Sequence, residues 1–153
     1  MSEQTIDKIL SETRTIAVVG ASDKPHRASN GVMKFLQDKG YRCIPVHPRL
    51  AGSQLHGETV YASLSDIPDD IRVDMVDLFI NASAVEPLVD EAIAIGAKTV
   101  WMQLDVINET AAEKAEASGL SVVMDRCPAI ELPNLKAAGL VNPDWRADQD
   151  TTI

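Results

Sequence analysis

The chain contains only two cysteines, Cys43 and Cys127, with neither metal-ligand spacing nor the pattern of a disulfide framework. They are expected to be reduced thiols in a cytoplasmic protein. No run of about 18 apolar residues exists, so neither a transmembrane helix nor a membrane partner is expected. The N-terminal stretch MSEQTIDKILSE carries charges throughout and lacks the apolar centre of a secretory signal. Positive charge is scarce. Lys and Arg number 14 against 23 Asp and Glu, and the net charge of −9 argues against a nucleic-acid partner. Two nucleotide fingerprints are also missing. After Gly20 the next glycine is Gly31, so there is no G-x-G-x-x-G, and the Gly-Lys-Ser/Thr ending of a P-loop is absent. The first absence points away from NAD, the second away from ATP hydrolysis.

What is present is organised around Thr15 to Gly31, TIAVVGASDKPHRASNG. Ile16 to Val19 form an apolar run short enough for a parallel strand buried on both faces. Gly20, Ala21 and Ser22 make a small turn. Ser29 or Asn30 is expected to cap a helix opening near Gly31, because a side-chain oxygen there accepts a free backbone N–H. A strand, a small-residue turn and a helix N-terminus together favour an anion, through free N–H groups and the helix dipole.

The rest of the chain repeats the alternation. A short helix over residues 3–13 precedes the first strand. Tyr41 to Val46 predicts a second strand, Thr59 to Ala62 a short third, and Met75 to Ile80 another with Asp77 inside it. A helix follows from Glu86 to Ile95, then a strand over Lys98 to Gln103. Asn108 caps a further helix that runs to Ser118, and Leu120 to Met124 is the last strand. The order β-α-β-(β)-β-α-β-α-β predicts an α/β fold: a doubly wound, mainly parallel open sheet with helices on both faces. The length of 153 residues suits one domain with a sizeable core. The periodicity fades from Lys136, so residues 136–153 read as a tail, anchored by Trp145 on the surface or on a partner.

In such a sheet, ligands bind beyond the carboxyl ends of the strands. The second strand ends in His47-Pro48-Arg49. A NAD site wants Asp or Glu there for the ribose hydroxyls. Groups that favour a phosphate stand instead, which suits a phosphorylated ribose such as that of NADP or coenzyme A. Between Gly20 and Arg49 the net charge is +4, against −13 for the remainder. Lys34, Lys39 and Arg42 of that island read as solvated surface charges.

Three stretches, GASDKPHRASNGVMKFLQDKGYRCIPVHP, LHGETVYASLSDIP and WMQLDVINETAAEKAEASGLSVVMDRCPAIE, closely resemble the stand-alone CoA-binding protein family. That family is similar to the CoA-binding domain of the succinyl-CoA synthetase alpha chain. The resemblance implies a Rossmann-like fold over residues 1–135 that binds coenzyme A or acyl-CoA. It implies a pyrophosphate over Gly20, Ala21 and Ser22, the same anion site that the residue pattern completes with the helix expected to open near Gly31. Lys24 and Arg27 would lie near phosphate, and Val46, His47 and Pro48 beside the adenosine. Asn81, Ala82 and Ser83 would border the pantetheine, with Gln103 further along. Two positions depart from the family: Asp105 stands where many members have glycine, and Ile80 where arginine is frequent.

The expected function is a CoA-binding module without catalysis of its own, since 153 residues leave no room for the further domains of an acyl-CoA synthetase. The alternatives are a CoA-dependent transferase or ligase subunit using Cys127 or a histidine, and an interaction protein that senses NADP or another nucleotide. The expected partners are the small-molecule ligand and, among macromolecules, a second copy of the chain or an acyl-CoA ligase subunit.

Overall fold

In the computed structural model, which describes residues 3–137, the elements follow in the order α1 (Glu3–Glu12), β1 (Thr15–Val19), α2 (Ala28–Asp38), β2 (Arg42–Val46), β3 (Gln54–Leu55), β4 (Glu58–Thr59), β5 (Met75–Leu78), α3 (Val85–Ala94), β6 (Thr99–Met102), α4 (Glu109–Ala117), β7 (Ser121–Val123) and α5 (Pro128–Ala137). Single 3-10 turns stand at Leu64–Asp66 and Ala82–Ala84. The main sheet has the order β2-β1-β5-β6-β7, with every neighbouring pair parallel. The chain leaves β1 toward β2 on one side and returns to place β5 on the other. The strand order therefore reverses between β1 and β5, where an open parallel sheet forms its binding crevice.

Alternation along each strand divides the core into two layers. Ile16, Val18, Cys43, Met75, Trp101 and Val123 face α1, α2 and α5, where Ile6, Leu10, Met33, Leu36 and Leu132 meet them. Ala17, Val19, Ile44, Val76, Leu78, Val100 and Met102 face α3 and α4. The α4 contacts are Ala111, Ala112 and Ala115, so a helix without bulky side chains still buries a stripe. Each fully buried Leu or Met contributes about 1.5–3 kcal/mol relative to exposure. Helices thus cover both faces of one parallel sheet, the doubly wound α/β arrangement that the sequence predicts.

Three local expectations are corrected. The helix expected from near Gly31 begins at Ala28 instead, so Ser29 and Asn30 lie in its first turn and neither caps it; Arg27 is the N-cap residue, without a side-chain cap bond. The third strand expected over Thr59–Ala62 does not form as such. Thr59 belongs to the β3–β4 antiparallel hairpin, and Tyr61 joins the main sheet through one parallel bridge to Val46. The segment after β7 forms α5, so helical structure runs through residues 136 and 137 of the expected tail. The rest of that tail, Trp145 included, lies outside the described residues.

Candidate functional site

The strand ends open into a cleft of about 1180 Å³ at the β1–β5 reversal. Its floor begins at Gly20. This residue has φ +85°, and a Cβ there would collide with the carbonyl oxygen of Phe79 just beyond β5. Glycine is thus required by both the backbone conformation and the approach of the two central strands. Ala21 is buried beneath the turn.

The expected anion site shifts along the loop. The N–H groups of Gly20 and Ala21 are both taken by the Val46 carbonyl, at 3.0 and 3.3 Å. Among the described residues, the N–H groups of Ser22, Ala28 and Ser29 have no acceptor. The last two are orphan donors of the first turn of α2, where the dipole favours negative charge. Asn30 holds this geometry from inside the helix. It is buried, and its Nδ2 donates to the Ser22 carbonyl at 2.9 Å. His56 supports it from the far side, with Nε2 3.2 Å from both the carbonyl and Oδ1 of Asn30. Two acceptors face that nitrogen, so it carries the proton.

The basic island divides into engaged and free charges. Lys34 pairs with Asp38 at 3.0 Å and Arg42 with Glu58 at 3.1 Å, both on the surface. Lys24, Arg27 and Arg49 all line the cleft and make no salt bridge among the described residues. Val46, His47 and Pro48 form the wall between them. His47 Nδ1 accepts the Arg49 backbone N–H at 3.0 Å, which fixes the ring across the turn. One end of the cleft is therefore cationic and rich in donors, within a chain of net charge −9.

The other end is more apolar. Phe79, Ile80, Leu88 and Val106 line it, with Asn81 and Ala82 from the turn after β5. Asn108 ties this turn to α4. Its Oδ1 accepts the Ala111 N–H at 3.0 Å as the helix cap, and its Nδ2 donates to the Ala82 carbonyl at 2.8 Å. Asp105 is exposed on the β6–α4 loop with φ +67°, its N–H donating to Asp125 at 2.7 Å. That left-handed backbone is one that glycine adopts without strain. Gln103 is buried in the wall, and beneath it lies Asp77. Burial pushes the Asp77 carboxyl well above the usual carboxylate range.

Most of the residues singled out from the sequence meet in this cleft, and two do not. Gly31 is exposed on α2 outside the lining, with open space where a side chain would stand. Its expected place depended on a helix start three residues too late. Ser83 is exposed on the outer side of the Ala82–Ala84 turn, while Asn81, Ala82 and Ala84 face the cleft. The sequence reading missed Ala62, Ser63, Leu88 and Glu91. The N-cap Ala84, with Leu88 and Glu91 on α3, follows an i, i+4, i+7 spacing that the sequence displays. Ala62 and Ser63 arrive only through the long-range bridge at Tyr61, which has no local signal. Cys127 is buried at the start of α5, outside the lining. Among the described residues no cluster of three or more His, Cys, Asp or Glu could hold a metal ion, and no helix is long and apolar enough to cross a membrane.

Comparison with known proteins gives this cleft a family. Uncharacterized protein YneT of Bacillus subtilis (strain 168) is 35% identical over 126 residues, covering 82% of this chain and 90% of that protein. The alpha subunit of acetate–CoA ligase (ADP-forming) I from Pyrococcus furiosus is 33% identical over 91 residues, covering 57% of this chain and 19% of that subunit. A solved structure of a hypothetical protein from Pyrococcus horikoshii OT3 superposes with a TM-score of 0.83 at 38% identity, covering 89% of this chain and 93% of that one. Residues 14–133 match the family described as CoA binding domain, and the chain belongs to that family.

Proposed function

We propose that this protein binds coenzyme A or an acyl-CoA in the cleft at the β1–β5 reversal and performs no reaction alone. The observation that carries the reading is the cationic end, where Lys24, Arg27 and Arg49 stand unpaired beside the open N-terminus of α2. The pyrophosphate would sit over the N–H groups of Ser22, Ala28 and Ser29 rather than those of Gly20 and Ala21. Lys24 and Arg27 would neutralise phosphate. The adenosine would lie along Val46, His47 and Pro48, with Arg49 and His47 reading the 3′-phosphate. Pantetheine would pass Asn81 and Ala82 toward Gln103. A cleft of about 1180 Å³ exceeds the roughly 300–1,000 Å³ of most small-ligand sites, as a long branched cofactor requires.

The thiols support a binding role over covalent catalysis. Both are buried, and burial pushes the Cys43 thiol up, away from its reactive thiolate form. Two buried free thiols also suit a reducing, cytoplasmic setting. A second reading, favoured by the Pyrococcus furiosus alpha-subunit match, is that the chain delivers CoA to a ligase partner that supplies the chemistry.

Native mass spectrometry of the purified protein tests the proposal. A bound mass equal to CoA or an acyl-CoA, or one gained on adding CoA, is expected. A bound NADP would favour nucleotide sensing instead, and failure to take up added CoA would overturn the reading.

A further inference from the structure

Ala62, Ser63, Leu88 and Glu91 line the cleft without a role in the site so far, and printed contacts of the fold bring them together. One wall follows from β2. Val46 bridges to Tyr61, and the His47 N–H donates to the Tyr61 carbonyl at 2.9 Å, which carries Ala62 and Ser63 alongside His47 and Pro48. The other wall is α3, with Leu88 and Glu91 on its cleft side. A single side-chain hydrogen bond joins the walls. Ser65, in the 3-10 turn Leu64–Asp66, donates from Oγ to Glu91 Oε1 at 3.2 Å. The Ser63 hydroxyl is turned away to Asp66 Oδ2 at 3.0 Å and does not compete. Glu91 is thereby oriented on one oxygen while Oε2 keeps no partner, and no cation pairs with it among the described residues.

We propose that Glu91 is a specificity-determining residue that reads the base of the ligand, accepting a hydrogen bond at Oε2 from the exocyclic amine of adenine. The ring lies between Pro48 and Ala62 on one side and Leu88 on the other, surfaces that suit an apolar aromatic face. A carboxylate without a cation repels phosphate, so the anionic parts of the ligand belong with Lys24, Arg27 and Arg49, and this recess takes a neutral group that donates. Its place beside His47 and Pro48 is where the adenosine is expected, which selects the base rather than the amides of the pantetheine arm. A base whose amine is blocked brings no donor. It leaves the carboxylate stripped of water and unpaired, and a site built on such a bond rejects the analogue that lacks it. The inference rests on the CoA reading for its ligand and adds to it a chemical reason for an adenine base.

Calorimetry with CoA and with etheno-CoA separates this inference from that reading. In etheno-CoA a two-carbon bridge closes over the amine and the neighbouring ring nitrogen, so both amine N–H groups are gone while the phosphates and the pantetheine arm are unchanged. The parent is expected to bind CoA about fivefold or more tightly than etheno-CoA, the worth of one hydrogen bond to a half-exposed carboxylate. Glu91→Ala should weaken CoA and not etheno-CoA, bringing the two within about twofold of each other; a thermal melt of the variant confirms that it is folded. Equal affinity of the parent for the two ligands overturns the inference and leaves the CoA reading standing. An alanine variant that keeps the whole preference refutes it as well, because the shape of the recess then discriminates. So does a variant that loses both ligands equally, because Glu91 then acts only on the fold. A parent that takes up neither ligand removes the CoA reading and the inference together.

Discussion

At the scale of single residues, Gly20 shows how tightly the cleft floor is built. Its φ of +85° and the Phe79 carbonyl beside it leave no place for a methyl group. Gly20→Ala is expected to lower unfolding stability by about 1–3 kcal/mol from backbone strain, with the collision added. Urea denaturation reads the loss. Asp105 is the opposite case. It already holds a left-handed conformation, at φ +67°, that glycine adopts freely. Asp105→Gly exchanges relief of strain against a more flexible unfolded chain, so stability should change by no more than about 1 kcal/mol. Removing a carboxylate from the cleft wall should tighten CoA binding, as calorimetry would show; unchanged affinity would mean that the carboxylate stays clear of the ligand. Asp77 gives the pH prediction. Its folded-state pKa is raised, so the native state holds a proton that the unfolded chain has lost above about pH 4. Its contribution to stability therefore falls as pH rises, by about 1.4 kcal/mol per unit, until the native carboxyl also titrates. Asp77→Asn cannot titrate. Its stability relative to the parent should rise with pH from about 4 upward, and paired urea curves at several pH values would show it.

At the scale of elements, caps and latches place the loops that form the cleft. Asn108 caps α4 and at the same time holds the Ala82 carbonyl. Asn108→Ala should cost about 1 kcal/mol for the cap. It should also weaken CoA binding, because the Asn81–Ala82 turn loses its tether; thermal melts and calorimetry on one preparation separate the two effects. Asn108 was legible as a cap because its partner is three residues away. Asn30 was not. A Ser-Asn pair before an apolar stripe reads as a cap, yet Asn30 bonds Ser22 and His56, partners that only tertiary structure brings near. α5 was hidden for a different reason. Pro133 lies inside it, exposed, and proline is a helix breaker, while the helix is held by Leu132 packing into the core beside α1 and α2. The buried strands, by contrast, were plain from short, mostly apolar runs between glycine turns, because a parallel strand covered on both faces is largely apolar, with Asp77 in β5 the buried exception.

At the scale of the whole molecule, strand order decides where everything meets. β1 and β5 are far apart in sequence and adjacent in space, and their separating ends form the cleft. The alternation of elements made the doubly wound sheet legible, and the missing carboxylate after β2 pointed to a phosphorylated ribose. Which cations remain free was not legible, since the pairing of Arg42 with Glu58 joins β2 to a hairpin whose position follows from the fold. The charge map sharpens accordingly: an acidic protein keeps Lys24, Arg27 and Arg49 unpaired at one end of one cleft. The central claim is that this end reads the 3′-phosphate of coenzyme A. Titration calorimetry of the parent protein with CoA and with dephospho-CoA tests it most directly. A charged hydrogen bond contributes about 1.5–3 kcal/mol, so CoA should bind about tenfold or more tightly than dephospho-CoA. Equal affinity for the two ligands, or binding of neither, would contradict the account.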